Sequence, residues 1–237
     1  MTTGDVVANL QLVLDRLHNA CAQAGRAPDS VRLIAVTKQV PLAAVAAAVR
    51  AGQRDLGENR LQDALQRQEE LAVCLGPDAP AVRWHFIGHL QRNKAARAAG
   101  RFALIHGLHA TELAVRLARK AEELDAVQPV LLQVNITGEP QKDGLAPDAV
   151  LDVACAVRSL PHLELRGLMA IAREGAAESE LRRTFASVCE LRDRTAAACG
   201  QPLPELSMGM SDDFAAAIRE GATMVRIGTA IFGPRRA

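Results

Sequence analysis

One lysine stands where a reactive amine could be made. Lys38 follows Thr37 and the apolar run Val31-Arg32-Leu33-Ile34-Ala35-Val36. At the end of a buried strand its stem lies along a low-dielectric wall, which disfavours the ammonium and lowers its pKa. A neutral amine can form a Schiff base with an aldehyde. The plain alternative is a lysine that snorkels to water. A second unusual residue is Arg226, inside Met224-Val225-Arg226-Ile227. A guanidinium in a buried strand needs partners, so it faces either a buried carboxylate or a ligand acceptor. Two further segments offer anion ligands. Ser207-Met208-Gly209-Met210-Ser211 carries two hydroxyls around a glycine, and Gly228-Thr229 carries backbone N–H groups and another hydroxyl. Asp212 and Asp213 fall in the first turn of a helix expected over 211–220, with Ser211 as its N-cap. Carboxylates there already use the positive helix end. Ser207 and the Gly228-Thr229 turn are therefore favoured over the Ser211 terminus as phosphate ligands.

The histidines invite a metal reading, because His85 and His89 are four apart and His106 and His109 three apart. The first pair spans a strand-to-loop passage and has no evident Cys or carboxylate partner, so no metal site is expected. His85 is expected as a pocket wall or core residue. Lys94, Arg97 and Arg101 read as a solvated face.

These residues need elements to place them. An opening helix is expected over 5–24, with Val6, Leu10, Val13, Leu14 and Leu17 at helical spacing. Strands then follow at 31–36, 54–57, 83–87, 102–105, 129–136, 163–170, 205–208 and 223–227. Helices are expected after Pro41, over 61–74, after Asn93, and over 111–124, 147–159, 178–198 and 211–220. Alternating strands and helices imply a parallel sheet covered by helices. Eight such units suggest an α/β fold of the closed (β/α)8 kind, with one extra N-terminal helix. A doubly wound open sheet is the alternative, but no GxGxxG follows the first strand. In such folds ligands bind at the carboxyl ends of the strands. Lys38, Gly57-Glu58-Asn59, Gly88-His89, Asn135, Met169, the Ser207–Ser211 segment and Gly228-Thr229 all fall there.

Composition narrows the classes. The 237 residues, 49% apolar and 23% charged, suit one barrel domain over 1–237. Net charge is +1, which argues against bulk nucleic-acid binding. The most apolar stretch, 41–49, is too short to span a bilayer. Five scattered cysteines with no CxxC fit free thiols in a reducing compartment. With no signal peptide at the start, a cytoplasmic protein is expected. There is no tyrosine at all.

The motifs match a known family. Ala35-Val36-Thr37-Lys38, Gly57-Glu58-Asn59, the run Trp84 to Lys94, Val134-Asn135, Gly167-Leu168-Met169, and the segments Leu206 to Phe214 and Val225 to Gly233 carry the likeness. The chain resembles the pyridoxal phosphate homeostasis proteins, single-domain relatives of the alanine racemase barrel. The resemblance implies a modified (β/α)8 barrel holding pyridoxal 5'-phosphate (PLP) as a Lys38 aldimine. Ser207, Gly228 and Thr229 would hold the phosphate, with Met208 and Ser211 nearby. Arg226 would face the pyridine nitrogen, and Asn59, His85 and Met169 would line the ring. Arg60 and His109 replace an aromatic and an acidic residue common in the family. The implied function is reversible cofactor binding, buffering and delivery, with transient contact to apo-PLP enzymes and a monomeric state. Lys142, on the loop after the fifth strand, would be a transient contact during transfer. The competing reading is a PLP-dependent racemase or related enzyme. An arginine facing the pyridine nitrogen keeps it unprotonated and a weaker electron sink, since arginine only donates. Racemases resembling this barrel use a tyrosine from an added domain as second base, and this sequence has no tyrosine. The expectation is a carrier without catalytic residues.

Overall fold

A computed structural model describes residues 2–234. The chain opens with α1 (Thr3–Gln23), whose start is set by a capping box. Thr2 Oγ1 accepts the Asp5 N–H, and the Asp5 carboxylate accepts the Thr2 N–H. Two donors that the helix cannot satisfy internally are thus paired. Val6, Leu10, Val13 and Leu17 are buried along one stripe, while Leu14 is half-buried. At the far end, the Arg26 guanidinium donates to the carbonyls of Ile218 and Ala222.

Eight strands follow and close in chain order into a parallel barrel. They are β1 (Arg32–Val36), β2 (Asp55–Glu58), β3 (Arg83–Phe86), β4 (Leu104–Leu108), β5 (Gln128–Val134), β6 (Leu163–Ala170), β7 (Glu205–Ser207) and β8 (Met224–Ile227). Closure comes from β8 pairing with β1, which sets Arg226 beside Ile34. The helices are α2 (Leu42–Arg50), α3 (Leu61–Leu75), α4 (Ala95–Ala98), α5 (Thr111–Glu123), α6 (Val150–Arg158), α7 (Glu178–Cys199), α8 (Phe214–Arg219) and α9 (Thr229–Phe232). This is the expected (β/α)8 barrel with an added N-terminal helix.

Three expectations move. The fourth strand lies at 104–108, because its ladder with β3 begins at the His85–Leu104 pair. Phe102 turns instead onto Phe86, with ring centroids 5.4 Å apart. The helix expected from Asn93 is a 3-10 turn over Arg92–Lys94 followed by the single turn α4. The helix expected over 211–220 starts only at Phe214, so Ser211 is not its cap and neither Asp212 nor Asp213 lies in its first turn. Asp213 instead accepts the Met210 N–H through its carboxylate, closing a turn ahead of the helix. The short α9 after β8 was not expected.

The core has two parts. The larger lies between the strands and the helices and includes Phe86, Leu113, Leu117 and Phe185. Each such side chain contributes about 1.5–3 kcal/mol on burial. The smaller part fills the barrel itself: Ile34, Leu104, Leu131, Met169 and Met224. These alternate along their strands with residues facing the helices, as a two-residue period requires. Polar residues share that interior, as described below.

One close approach depends on glycine. A Cβ on Gly88 would lie 2.2 Å from the Asn59 carbonyl oxygen, so the loop after β3 rests directly on the bend after β2. Gly88→Ala is expected to destabilise the fold by about 2 kcal/mol, lowering the melting temperature by about 4–8 °C in a thermal unfolding scan.

Candidate functional site

At the carboxyl ends of the strands, β1 runs into a tight turn. The Val40 N–H donates to the Thr37 carbonyl at 3.0 Å, and Gln39 takes φ +61°. A non-glycine residue there costs about 1–2 kcal/mol. The turn leaves Lys38 half-buried in a small cleft with Val36, Val40, Gly228, Thr229 and Phe232. The first and last βα junctions are thus neighbours, through barrel closure. A Cβ on Gly228 would come within 3.2 Å of the Val36 carbonyl oxygen, a tight contact that glycine avoids. Thr229 opens α9, whose first N–H groups have no partner within the helix.

Behind the lysine lies a buried carboxyl. Glu58 is 1% exposed and accepts from Thr37 Oγ1 at 2.6 Å. Arg67 Nε lies 3.0 Å from Glu58 Oε1 as an ion pair without hydrogen-bond alignment. Burial raises the Glu58 pKa, against the Thr37 hydrogen bond and the charges of Arg67 and Lys38.

Among the described residues, no carboxylate pairs with Arg226. Its Nη1 donates to Ser207 Oγ at 2.7 Å and its Nη2 to the Ala170 carbonyl at 3.0 Å. Burial lowers its pKa to about 10, opposed by the charge of Asp213, so it stays a cation at neutral pH. Ser207 is fully buried, and its hydroxyl also meets His106 Nδ1 at 2.8 Å. His106 Nε2 in turn lies 3.0 Å from His85 Nδ1, and His85 Nε2 lies 2.9 Å from Asp55 Oδ1. Asp55 ends the series in a two-pronged pair with Arg83. Burial alone would raise the Asp55 pKa, but hydrogen bonds from Arg83 and His85 outweigh it and hold the carboxyl at about 2. Burial holds His106 well below the usual imidazole range, and the positive charges of Arg226 and Arg32 add to it.

The structure therefore redistributes the expected site. Lys38, Gly228 and Thr229 come together. Ser211 is half-buried in the turn after β7, whose Gly209 carbonyl accepts the Arg226 N–H at 2.9 Å. Asn59 is half-buried at the bend after β2. Ser207 does not present a free hydroxyl at the mouth, because Arg226 and His106 already engage it. Met208 packs its side chain into the core outside the barrel. His85 and Met169 lie in the barrel interior. The histidines pair across strands: His85 with His106, and His89 stacked on His109 at 4.4 Å between centroids. Among the described residues, no group of three or more His, Cys, Asp or Glu could hold a metal ion. Lys142 Nζ binds Glu139 at 2.6 Å and the Ala172 carbonyl at 3.1 Å.

Asp55 was not singled out from the sequence, and Glu58 and His106 were noted only for strand-end position and histidine spacing. The available signal was a charged or titratable residue inside each short strand, the same signal that marked Arg226. A wider apolar recess beside α3, lined by Leu71, Leu75 and Trp84 among others, has no charged group in its lining. Chemistry therefore favours the smaller Lys38 cleft.

Residues 14–236 match the sequence model described as the N-terminal domain of alanine racemase. Fold and site together define a barrel of that class. The chain is 45% identical over 230 residues to the pyridoxal phosphate homeostasis protein of Pseudomonas aeruginosa, covering 97% of this chain and 96% of the relative. It is 37% identical to PipY of Synechococcus elongatus PCC7942, solved with PLP bound, at a TM-score of 0.79, covering 92% of this chain and all of that one. This chain belongs to the pyridoxal phosphate homeostasis protein family. An alanine racemase from Clostridium difficile shares the fold at a TM-score of 0.71 and 14% identity, covering 97% of this chain and 58% of that one.

The Asp55 carboxylate has a folded pKa below its unfolded value. Its contribution to stability is therefore complete above about pH 4 and is lost as pH falls toward 2. Asp55→Asn is expected to lower the melting temperature at pH 7, with the gap to wild type narrowing as pH approaches 2 in parallel thermal scans.

Proposed function

We propose that this protein binds PLP reversibly through Lys38, and that it buffers and delivers the cofactor to maintain vitamin B6 homeostasis. The observation that carries the reading is the shared cleft of Lys38 with Gly228 and Thr229. It sets an amine beside an anion-binding turn, in the place where barrels hold phosphate, after the seventh and eighth strands. When bound, PLP supplies an aldehyde that condenses reversibly with an amine and releases water.

The chain's own groups divide the work. Lys38 provides the amine. The Gly228 and Thr229 backbone, the Thr229 hydroxyl and Ser211 hold the phosphate. Arg226, a donor only, faces the ring nitrogen and keeps it an acceptor. Asn59 borders the ring. The Glu58 carboxyl is held behind Lys38 by Thr37 and Arg67. His85 and Met169 support the pocket from beneath.

The carrier reading over a racemase rests on the family's name and on the acid–base inventory. Two-base racemisation needs a proton carrier on each face of the substrate carbon. Lys38 serves one face, and the sequence has no tyrosine for the other. A monomer in the cytoplasm, handing cofactor to apo-enzymes, completes the proposal. The five free thiols fit a reducing compartment. Among the described residues, no helix is long and apolar enough to cross a membrane.

Lys38→Ala is expected to abolish the visible absorption that added PLP acquires on covalent binding to the protein. Its retention would remove Lys38 from the site. Across a panel of amino acids, the PLP-loaded protein is expected to show no racemisation or decarboxylation at ordinary enzyme turnover, about 1 per second or more. Turnover at that level in a chiral assay would replace the carrier with an enzyme.

A further inference from the structure

Five side chains run in one line through the barrel, and one direction gives every proton in it an acceptor. Arg226 can only donate, so Ser207 Oγ accepts from it. Ser207 has one proton, and in that order it goes to its other partner, His106 Nδ1, which is then the unprotonated nitrogen. A neutral His106 carries its proton on Nε2 and donates it to His85 Nδ1. His85 carries its own proton on Nε2 and donates it to the Asp55 carboxylate, which at neutral pH only accepts. Every donor has an acceptor, and both ends of the line are fixed by groups that cannot reverse.

A doubly protonated His85 breaks this order. It would donate to His106 Nε2, and His106 would have to donate from Nδ1 to Ser207. The Ser207 proton would then have neither of its two partners to accept it. The neutral order is the one in which the Ser207 proton, like every other proton of the line, has an acceptor among these side chains. The surrounding charges are arranged accordingly. Arg83 faces Asp55, Arg32 and Arg226 act on His106, and Asp213 acts on Arg226.

We propose that Asp55, His85, His106 and Ser207 are positioning residues: a one-way hydrogen-bond chain that anchors the Arg226 guanidinium. Its effect on the cofactor rests on the proposed function above, through the contact of Arg226 with the ring nitrogen. The assignment changes the role of Ser207. Its hydroxyl acts on the ring side of the pocket through Arg226, and the phosphate is left to Gly228, Thr229 and Ser211.

Two measurements decide it. In nitrogen-15 NMR of histidine-labelled full-length protein without ligand, one of the six histidines, His106, is expected to stay a neutral Nε2–H tautomer from about pH 6 to pH 9. Ser207→Ala and Asp55→Asn should change its signal. Titration of His106 in that range, or an Nδ1–H tautomer, overturns the chain whether or not PLP binds at Lys38.

The second measurement compares PLP with pyridoxal, which lacks the phosphate. Ser207→Ala is expected to weaken both by the same factor, about tenfold. A loss confined to PLP would make Ser207 a phosphate ligand and overturn the assignment. His106→Leu removes a donor and an acceptor together and should reproduce the Ser207→Ala loss. His106→Gln keeps one of each and should restore most of the affinity. Equal behaviour of the two His106 variants would reduce His106 to packing. If wild type binds neither compound covalently, the proposed function fails, and the histidine spectra still decide the chain.

Discussion

A guanidinium buried at the ligand end of a barrel is the constraint around which this interior is arranged. Removing a cation from water costs several kcal/mol even after relaxation. Arg226 is only 5% exposed, and among the described residues no carboxylate touches it. Its stabilisation comes from a hydroxyl, a carbonyl and a line of imidazoles ending on Asp55. Hydrogen bonds to a charged group contribute about 1.5–3 kcal/mol each. The counter-charge lies at the opposite end of the strands, and three side chains span the distance. The cation is thus held by hydrogen bonds and not stranded in an apolar core.

That arrangement depends on strand register. His85 on β3 can meet His106 on β4, and His106 can cross to Ser207 on β7, only because the barrel is closed and narrow enough for opposed side chains to touch. Eight strands leave an interior just wide enough for side chains to fill. Shifting any of these strands by one residue would turn its polar group toward the helices. The apolar residues Ile34, Leu104, Leu131, Met169 and Met224 pack around the line and keep its dielectric low. Low dielectric strengthens each hydrogen bond and raises the cost of leaving one unmade.

The mouth is built by a second consequence of closure. β1 and β8 are the most distant strands in sequence and direct neighbours in space. Their pairing sets Lys38 beside Gly228 and Thr229, although about 190 residues separate them. The turn at Gln39 and the close approach at Gly228 are the local adjustments that let the two junctions share one cleft.

Most of the architecture was legible in the sequence. Two-residue and 3.6-residue periodicities mark eight strands and the long helices, because burial of one face leaves that imprint on residue order. Lys38, Arg226 and Gly228-Thr229 stood out because a charge or a glycine at a strand end has few innocent explanations. The partners of Arg226 were not legible. His106 was placed at a strand's edge when it lies mid-strand, and Asp55 looked like an ordinary strand-opening residue. The contacts of Ser207 with Arg226 and His106 were not legible either, because a hydroxyl's partner cannot be read from its neighbours in the chain. Sequence by itself determined which residues could carry the chemistry and that they would gather at one end of a barrel. Tertiary structure alone decided which of them touch, because hydrogen-bond partners across a closed barrel are set by register and curvature, and neither leaves a periodic trace in the order of residues.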